Sequence, residues 1–214
     1  MRGKLKAGSL IALTFWAASA AAGSILDSAR TLADQGHGFV TAGITHGGKN
    51  MANLISANGG LAQVQAGDFW QIGGGMHWQL DDKPIEVTVA GYYHFDSVDA
   101  DTSTGGFDRY PIEFLGYYRV NPEWRVGGGL RYVLWPTMET IKSGSETNVD
   151  YKNAPGLVFE GGYGFSDRFW VNARYVIEQY QARKARSGAA TINASALPKT
   201  NGSHFGVNFS FIFK

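Results

Sequence analysis

From about Asp68 to the C-terminus, apolar side chains recur at every second position in segments of roughly ten residues. A period of two is that of a β-strand and sends alternate residues to opposite faces, so the chain is restricted to sheet structures with two unlike faces. In the first clear segment Trp70, Ile72, Gly74, Met76, Trp78 and Leu80 share one face, while Gln71, Gly73, Gly75, His77 and Gln79 share the other. The same alternation runs through 85–96, 109–120, 124–135, 156–165, 169–178 and 204–213, and more weakly through 38–46, where Val40, Ala42 and Ile44 are apolar. That makes eight strands, an even number that can close on itself.

The connections alternate in length. Short turns are expected at 81–83, 121–123 and 166–168, and long loops near 47–66, 97–106, 138–150 and 182–202. Short turns at one end and long loops at the other are the layout of an up-and-down barrel that spans an outer membrane. Ten residues rising about 3.3 Å each at a tilt near 45° cover roughly 23 Å, close to the height of such a barrel's apolar band.

Side-chain volume separates a membrane barrel from a soluble calyx. An eight-stranded barrel has an interior just wide enough to be filled by side chains, and the aromatic face would overfill it. The opposite face, with Gly73, Gly75, Gly127, Gly129, Gly156, Gly162 and Gly164 between a few long polar residues, fits inside. The apolar face therefore points to lipid, with Trp78, Tyr118, Trp124, Phe165, Phe169 and Phe213 near the short turns and Trp70, Tyr93, Phe95, Tyr110 and Tyr132 near the long loops as interfacial girdles. Strict parity places Trp135 inward.

Composition and the N-terminus fix the setting. Arg2, Lys4 and Lys6, the apolar run Leu10 to Trp16 and the small residues Ala17 to Gly23 read as a secretory signal peptide, with cleavage expected after Ala22. Residues 23–36 then form a short periplasmic segment and 37–214 the barrel. The chain has no Cys, which excludes disulfides, thiolate metal sites and cysteine catalysis. Its 19 Lys+Arg against 18 Asp+Glu give no field for nucleic acid. No cofactor, no metal and a monomeric state are expected.

The lumen face carries Glu86, Glu113, Glu160, Glu178, Arg109, Arg119, Arg125, Arg131 and Arg174, with His77 and His94. Counting outward from the turn at Pro122 sets Glu113 opposite Arg131, and from Asp167 it sets Glu160 opposite Arg174. A Glu-Arg-Glu-Arg belt across the wall is expected, with bidentate bonds possible at each step and the lumen glycines making room for Arg side chains from the facing wall. Arg119 and Arg125 face each other as like charges, which Glu86 or a bound anion could offset. The belt implies a salt-bridged, largely closed lumen in a structural or surface-interaction protein. The alternative is a narrow or gated pore for small solutes or ions. A lipid-modifying enzyme is remote, because His204 falls on the lumen side and Ser203 next to it points the other way. In the loops, Met51, Leu54 and Ile55 stand at helical spacing, as a short lid or as residues folded beneath the loop. Arg183, Lys184, Arg186 and Lys199 stand where lipopolysaccharide phosphates would lie, as an anion contact or as solvated loop charge.

Over roughly 37–214 the chain resembles the small eight-stranded outer-membrane β-barrel proteins of Gram-negative bacteria, the group around the transmembrane domain of outer-membrane protein A. The resemblance rests on topology, strand length and the terminal alternation of Phe205, Val207, Phe209, Phe211 and Phe213. It implies that these phenylalanines are the signal read by the barrel-assembly machinery, although Lys214 follows where that signal usually ends on the aromatic. It also implies residence in the outer membrane as a multi-pass barrel, in contact with outer-membrane lipid and lipopolysaccharide. No counterpart of a wall-binding periplasmic module is expected.

Overall fold

The structure, a computed structural model, describes residues 36–55, 61–80, 83–100, 103–142 and 144–213. The expected signal peptide and nearly all of the 23–36 segment lie outside the described residues. All regular structure within them is strand: β1 (His37–Gly47), β2 (Asn50–Ile55), β3 (Leu61–Gln65), β4 (Phe69–Gln79), β5 (Ile85–Ala100), β6 (Ser103–Arg119), β7 (Trp124–Lys142), β8 (Ser145–Tyr151), β9 (Ala154–Gly164), β10 (Phe169–Tyr180), β11 (Ala182–Ser187), β12 (Ala190–Asn193), β13 (Thr200–Asn201) and β14 (His204–Ile212). Eight of these, β1, β4, β5, β6, β7, β9, β10 and β14, pair antiparallel in that order, and β14 pairs back onto β1 to close an eight-stranded up-and-down barrel. Closure leaves these strands no free edge within the bilayer, where unpaired backbone groups would find no water.

Local chemistry sets the short turns. Asn121 Oδ1 accepts hydrogen bonds from the Glu123 and Trp124 backbone N–H groups at 2.9 and 2.7 Å. Ser166 Oγ accepts from those of Arg168 and Phe169 at 3.3 and 3.2 Å. Such side-chain turns stand in for a missing backbone partner and fix the register of the strands they join.

The long connections differ from expectation. The described residues of 97–106 are not an irregular loop, since β5 and β6 stay paired from Val98↔Gly105 to Ala100↔Ser103. Likewise β7 continues to Lys142 and turns into β8, which pairs β11, which in turn pairs β12. About ten residues suffice to cross the bilayer, so the 19 residues of β7 carry it about 20 Å beyond on the loop side. The segment expected to form a helical lid or to fold beneath its loop is the β2–β3 hairpin, whose Leu54 and Val64 are fully buried against Gly105. Val64 belongs to an apolar cluster with Phe107, Val133, Met138 and Tyr180 that caps the lumen from the loop side.

Strict alternation fails at two places in the barrel wall: at the start of β4, where Phe69 takes a positive φ of 77° and is exposed together with Trp70, and on β7. Between Asp108↔Thr137 and Tyr110↔Leu134 the register shifts, because β7 carries an extra residue there. Trp135 takes a positive φ of 46° and its side chain is 66% exposed, so it faces outward beside Leu134 and not inward. A bulge is invisible to a count of two.

Three of the seven lumen glycines make room for aromatic rings on the adjacent strand, three lie mainly against neighbouring backbone, and none is filled by an arginine from the opposite wall. Gly73 pairs with Tyr92, Gly127 with Tyr117 and Gly164 with Trp170. A Cβ on these glycines would lie 2.6, 2.5 and 2.9 Å from the partner ring. Gly162 is the one that abuts Arg125, and that arginine also comes from the adjacent strand. Gly127→Val should therefore destabilise by about 1–3 kcal/mol, read as a lower midpoint of guanidinium unfolding from lipid vesicles. Gly116→Ala, on the outer face with nothing within 4 Å of the new methyl, should change the midpoint little.

Candidate functional site

The two faces of the wall are inverted relative to a soluble protein. Between the girdles, the outward positions of the eight strands carry no charged residue. They expose Val40, Ile72, Ile112, Phe114, Leu130, Leu157 and Phe209 among others. The aromatics at the loop end are in mutual contact: Tyr93 stacks on Phe95 and on Tyr110, with centroids 5.0 and 5.3 Å apart, and Tyr110 meets Trp135 edge-on at 6.2 Å. Inside, Glu86, Glu113, Glu160, Glu178, Arg109, Arg125, Arg131 and Arg174 are all buried. Their positions form three tiers.

Nearest the short turns stands Glu86. Both Arg119 and Arg125 pair with it, the latter with Nη1 at 2.8 Å from Oε2, and His77 Nε2 lies 3.2 Å from the same oxygen. Arg119 and Arg125 are opposed across β6 and β7, and Glu86 supplies the countercharge between them. Arg125 also donates to Asn172 Oδ1 at 2.9 Å, and its guanidinium lies 4.3 Å from the ring centroids of both Tyr117 and Trp170.

Glu113 centres the middle tier. Arg131 Nη1 donates to its Oε1 at 2.6 Å from the neighbouring strand, and Arg174 Nη2 reaches both its oxygens at 2.7 Å from across the lumen. Arg131 Nε donates in addition to Glu178 Oε2 at 2.9 Å. Arg174 Nε lies 3.3 Å from Glu160, which accepts a hydrogen bond from the Tyr117 hydroxyl at 2.7 Å. The expected linear belt is thus a branched network. Arg131 divides itself between two carboxylates instead of binding one bidentately, and Glu178 joins the network from the tier above.

In that uppermost tier the Tyr180 hydroxyl donates to Glu178, and Arg109 packs on the Phe107 ring with its Nη2 2.8 Å from His94 Nε2. Thr45 Oγ1 lies 2.8 Å from the same nitrogen. His204, fully inside, has Nδ1 2.8 Å from the Gly202 carbonyl oxygen. Parity locates these residues, but nothing in the sequence marks Tyr180 and Phe107 as the lid over them. Between the lower and middle tiers remains a cavity of about 20 Å³, lined by residues that include His77, Tyr92, Tyr117, Arg125 and Glu160. That is room for about one water.

On the rim, Arg186 donates to both oxygens of Asp150 at 3.0 and 2.9 Å, and Arg183 lies 3.8 Å from it. Lys184 and Lys199 make no ion pair among the described residues. Phe205, Phe209, Phe211 and Phe213 all face outward on and just after β14, the strand that closes the barrel, and Lys214 lies outside the described residues.

A closed eight-stranded barrel with an uncharged apolar exterior, aromatic girdles and a charged interior is an outer-membrane β-barrel. No protein-family model and no curated protein matches the chain. Among solved structures, it is similar to Neisserial surface protein A, with 9% identity, 84% of this chain and 97% of that one covered and a TM-score of 0.48. It is also similar to Ail, the attachment invasion locus protein of Yersinia pestis (10% identity, 83% and 97% covered, TM-score 0.45) and to CarO of Acinetobacter baumannii (13% identity, 82% and 97% covered, TM-score 0.44).

Glu86→Ala should leave two guanidinium groups opposed in the lumen without their countercharge. The expected cost is on the order of 3–5 kcal/mol, measured by reversible unfolding in vesicles. Trp170→Leu should cost less, because it removes ring contacts to Arg125 and leaves the ion pairs intact.

Proposed function

We propose that this chain is a structural, surface-presenting barrel whose lumen is closed by its own side chains. The observation that carries the reading is the middle tier, where Glu113, Arg131, Arg174 and Glu178 are joined across the lumen with a cavity of only about 20 Å³ beneath them. A guanidinium or carboxylate released from this tier would face several kcal/mol of desolvation, which holds the tier shut. The apolar cluster of Val64, Phe107 and Tyr180 adds a second obstruction above. The sheet of β7, β8, β11 and β12 projects beyond the membrane and supports a role in surface contact. Catalysis forms no part of the proposal: His77, His94 and His204 are all buried in the lumen, engaged with Glu86, Arg109 and the Gly202 carbonyl.

Current across planar bilayers tests the closed lumen against the narrow pore. Protein inserted from detergent should leave the membrane without discrete conductance steps at moderate voltage. Reproducible unitary openings in the wild-type protein, modified by Glu113→Gln, would establish the gated pore instead.

A further inference from the structure

The outer surface at the loop end carries a groove of about 550 Å³, bordered by Tyr132 and Trp135 on β7, Asp150 on β8, Lys152 just after it and Arg183 on β11. Two irregularities of the sheet meet there. The bulge on β7 turns Trp135 outward, with its backbone N–H held by Asn153 Oδ1 at 3.0 Å. A second shift, between Ala182 and Lys184 against β8, leaves Arg183 as the extra residue. Bulges re-aim side chains, and these two, on strands either side of β8, aim an indole and a guanidinium into one groove. A left-handed tryptophan carries a conformational cost.

The groove is amphiphilic in the direction of the membrane normal. Its lower border is the aromatic girdle, continuous with the lipid-facing surface below, and its upper border is cationic. Lys152 and Arg183, with Arg186 beside them, outnumber the single carboxylate of Asp150, to which both arginines turn. We propose that this groove is a docking site for a phosphorylated glycolipid of the outer leaflet. The acyl region would lie against Tyr132 and Trp135 and the phosphate between Lys152 and Arg183, with Arg186 retaining Asp150. The proposal rests on the outer-membrane reading but not on the closed lumen. It narrows the expected basic patch to Arg183 and adds Lys152, which lies outside the run of basic residues in the loop.

The test is native mass spectrometry of the full protein released from detergent micelles containing lipid A, fully dephosphorylated lipid A or phosphatidylcholine. One lipid A adduct is expected on the wild type, with little retention of the other two lipids. K152Q/R183Q should lower lipid A occupancy by about tenfold or more, given the usual attraction of each basic side chain to an anionic lipid surface. Both positions are exposed, so the variant should keep the heat-resistant mobility of a folded barrel. Trp135→Ala should weaken retention while leaving the preference for the phosphorylated form. No wild-type adduct, equal retention of phosphorylated and dephosphorylated lipid, an unchanged K152Q/R183Q or full displacement by millimolar inorganic phosphate would each overturn the proposal. None of these outcomes bears on bilayer conductance, so the two readings fail separately.

Discussion

The middle of this barrel is organised by the contact between Glu113 and the two guanidinium groups that converge on it, Arg131 from the next strand and Arg174 from across the lumen. Burying any one of these ions alone costs several kcal/mol, so each is tolerable only where the others stand. Backbone ladders join each strand to its two neighbours. Several lumen contacts join strands that are not neighbours: β6 to β10 through Glu113–Arg174, β7 to β10 through Arg131–Glu178, and β5 to β7 through Glu86–Arg125. β6 reaches β9 through Tyr117–Glu160, β1 reaches β5 through Thr45–His94, and β4 reaches β14 through Gln71–Asn208. Every strand of the barrel is braced by at least one of these.

That bracing explains the division of residue types. Charges that would be costly against lipid are useful inside, where they find partners at fixed distances. Inward aromatics need space, and cross-strand glycines provide it at Tyr92, Tyr117 and Trp170 without widening the barrel. The rings in turn lie under guanidinium groups, so the same residues fill volume and offset charge.

Strand parity alone makes most of the wall legible. It places Trp70, Phe114 and Phe209 outside and Glu113, Arg131, Glu160 and Arg174 inside, and turn-centred counting sets Glu113 opposite Arg131 because an antiparallel hairpin without bulges obeys a constant register. Cross-lumen partners are not legible in this way. Arg174 reaches Glu113 and Arg131 reaches Glu178 by way of barrel curvature and side-chain length, which no count along one hairpin contains. The loops mislead for a different reason. Polar, glycine-bearing sequence from 97 to 106 reads as a loop, yet β5 and β6 continue pairing as far as Ala100↔Ser103 because the ladder below has already fixed their register. Parity misplaces Trp135 because one inserted residue reverses it, and the neighbouring Pro136 gives no warning of where the insertion falls.

The most direct measurement is a double-mutant cycle between Glu113 and Arg174, using Glu113→Leu, Arg174→Leu and the double variant, with unfolding free energies from reversible denaturant titration in lipid vesicles. If the cross-lumen brace holds the barrel, each single variant is strongly destabilised and the double variant recovers part of the loss, giving a coupling of about 1–3 kcal/mol. Additive effects, with a coupling within about 0.5 kcal/mol of zero, would contradict it.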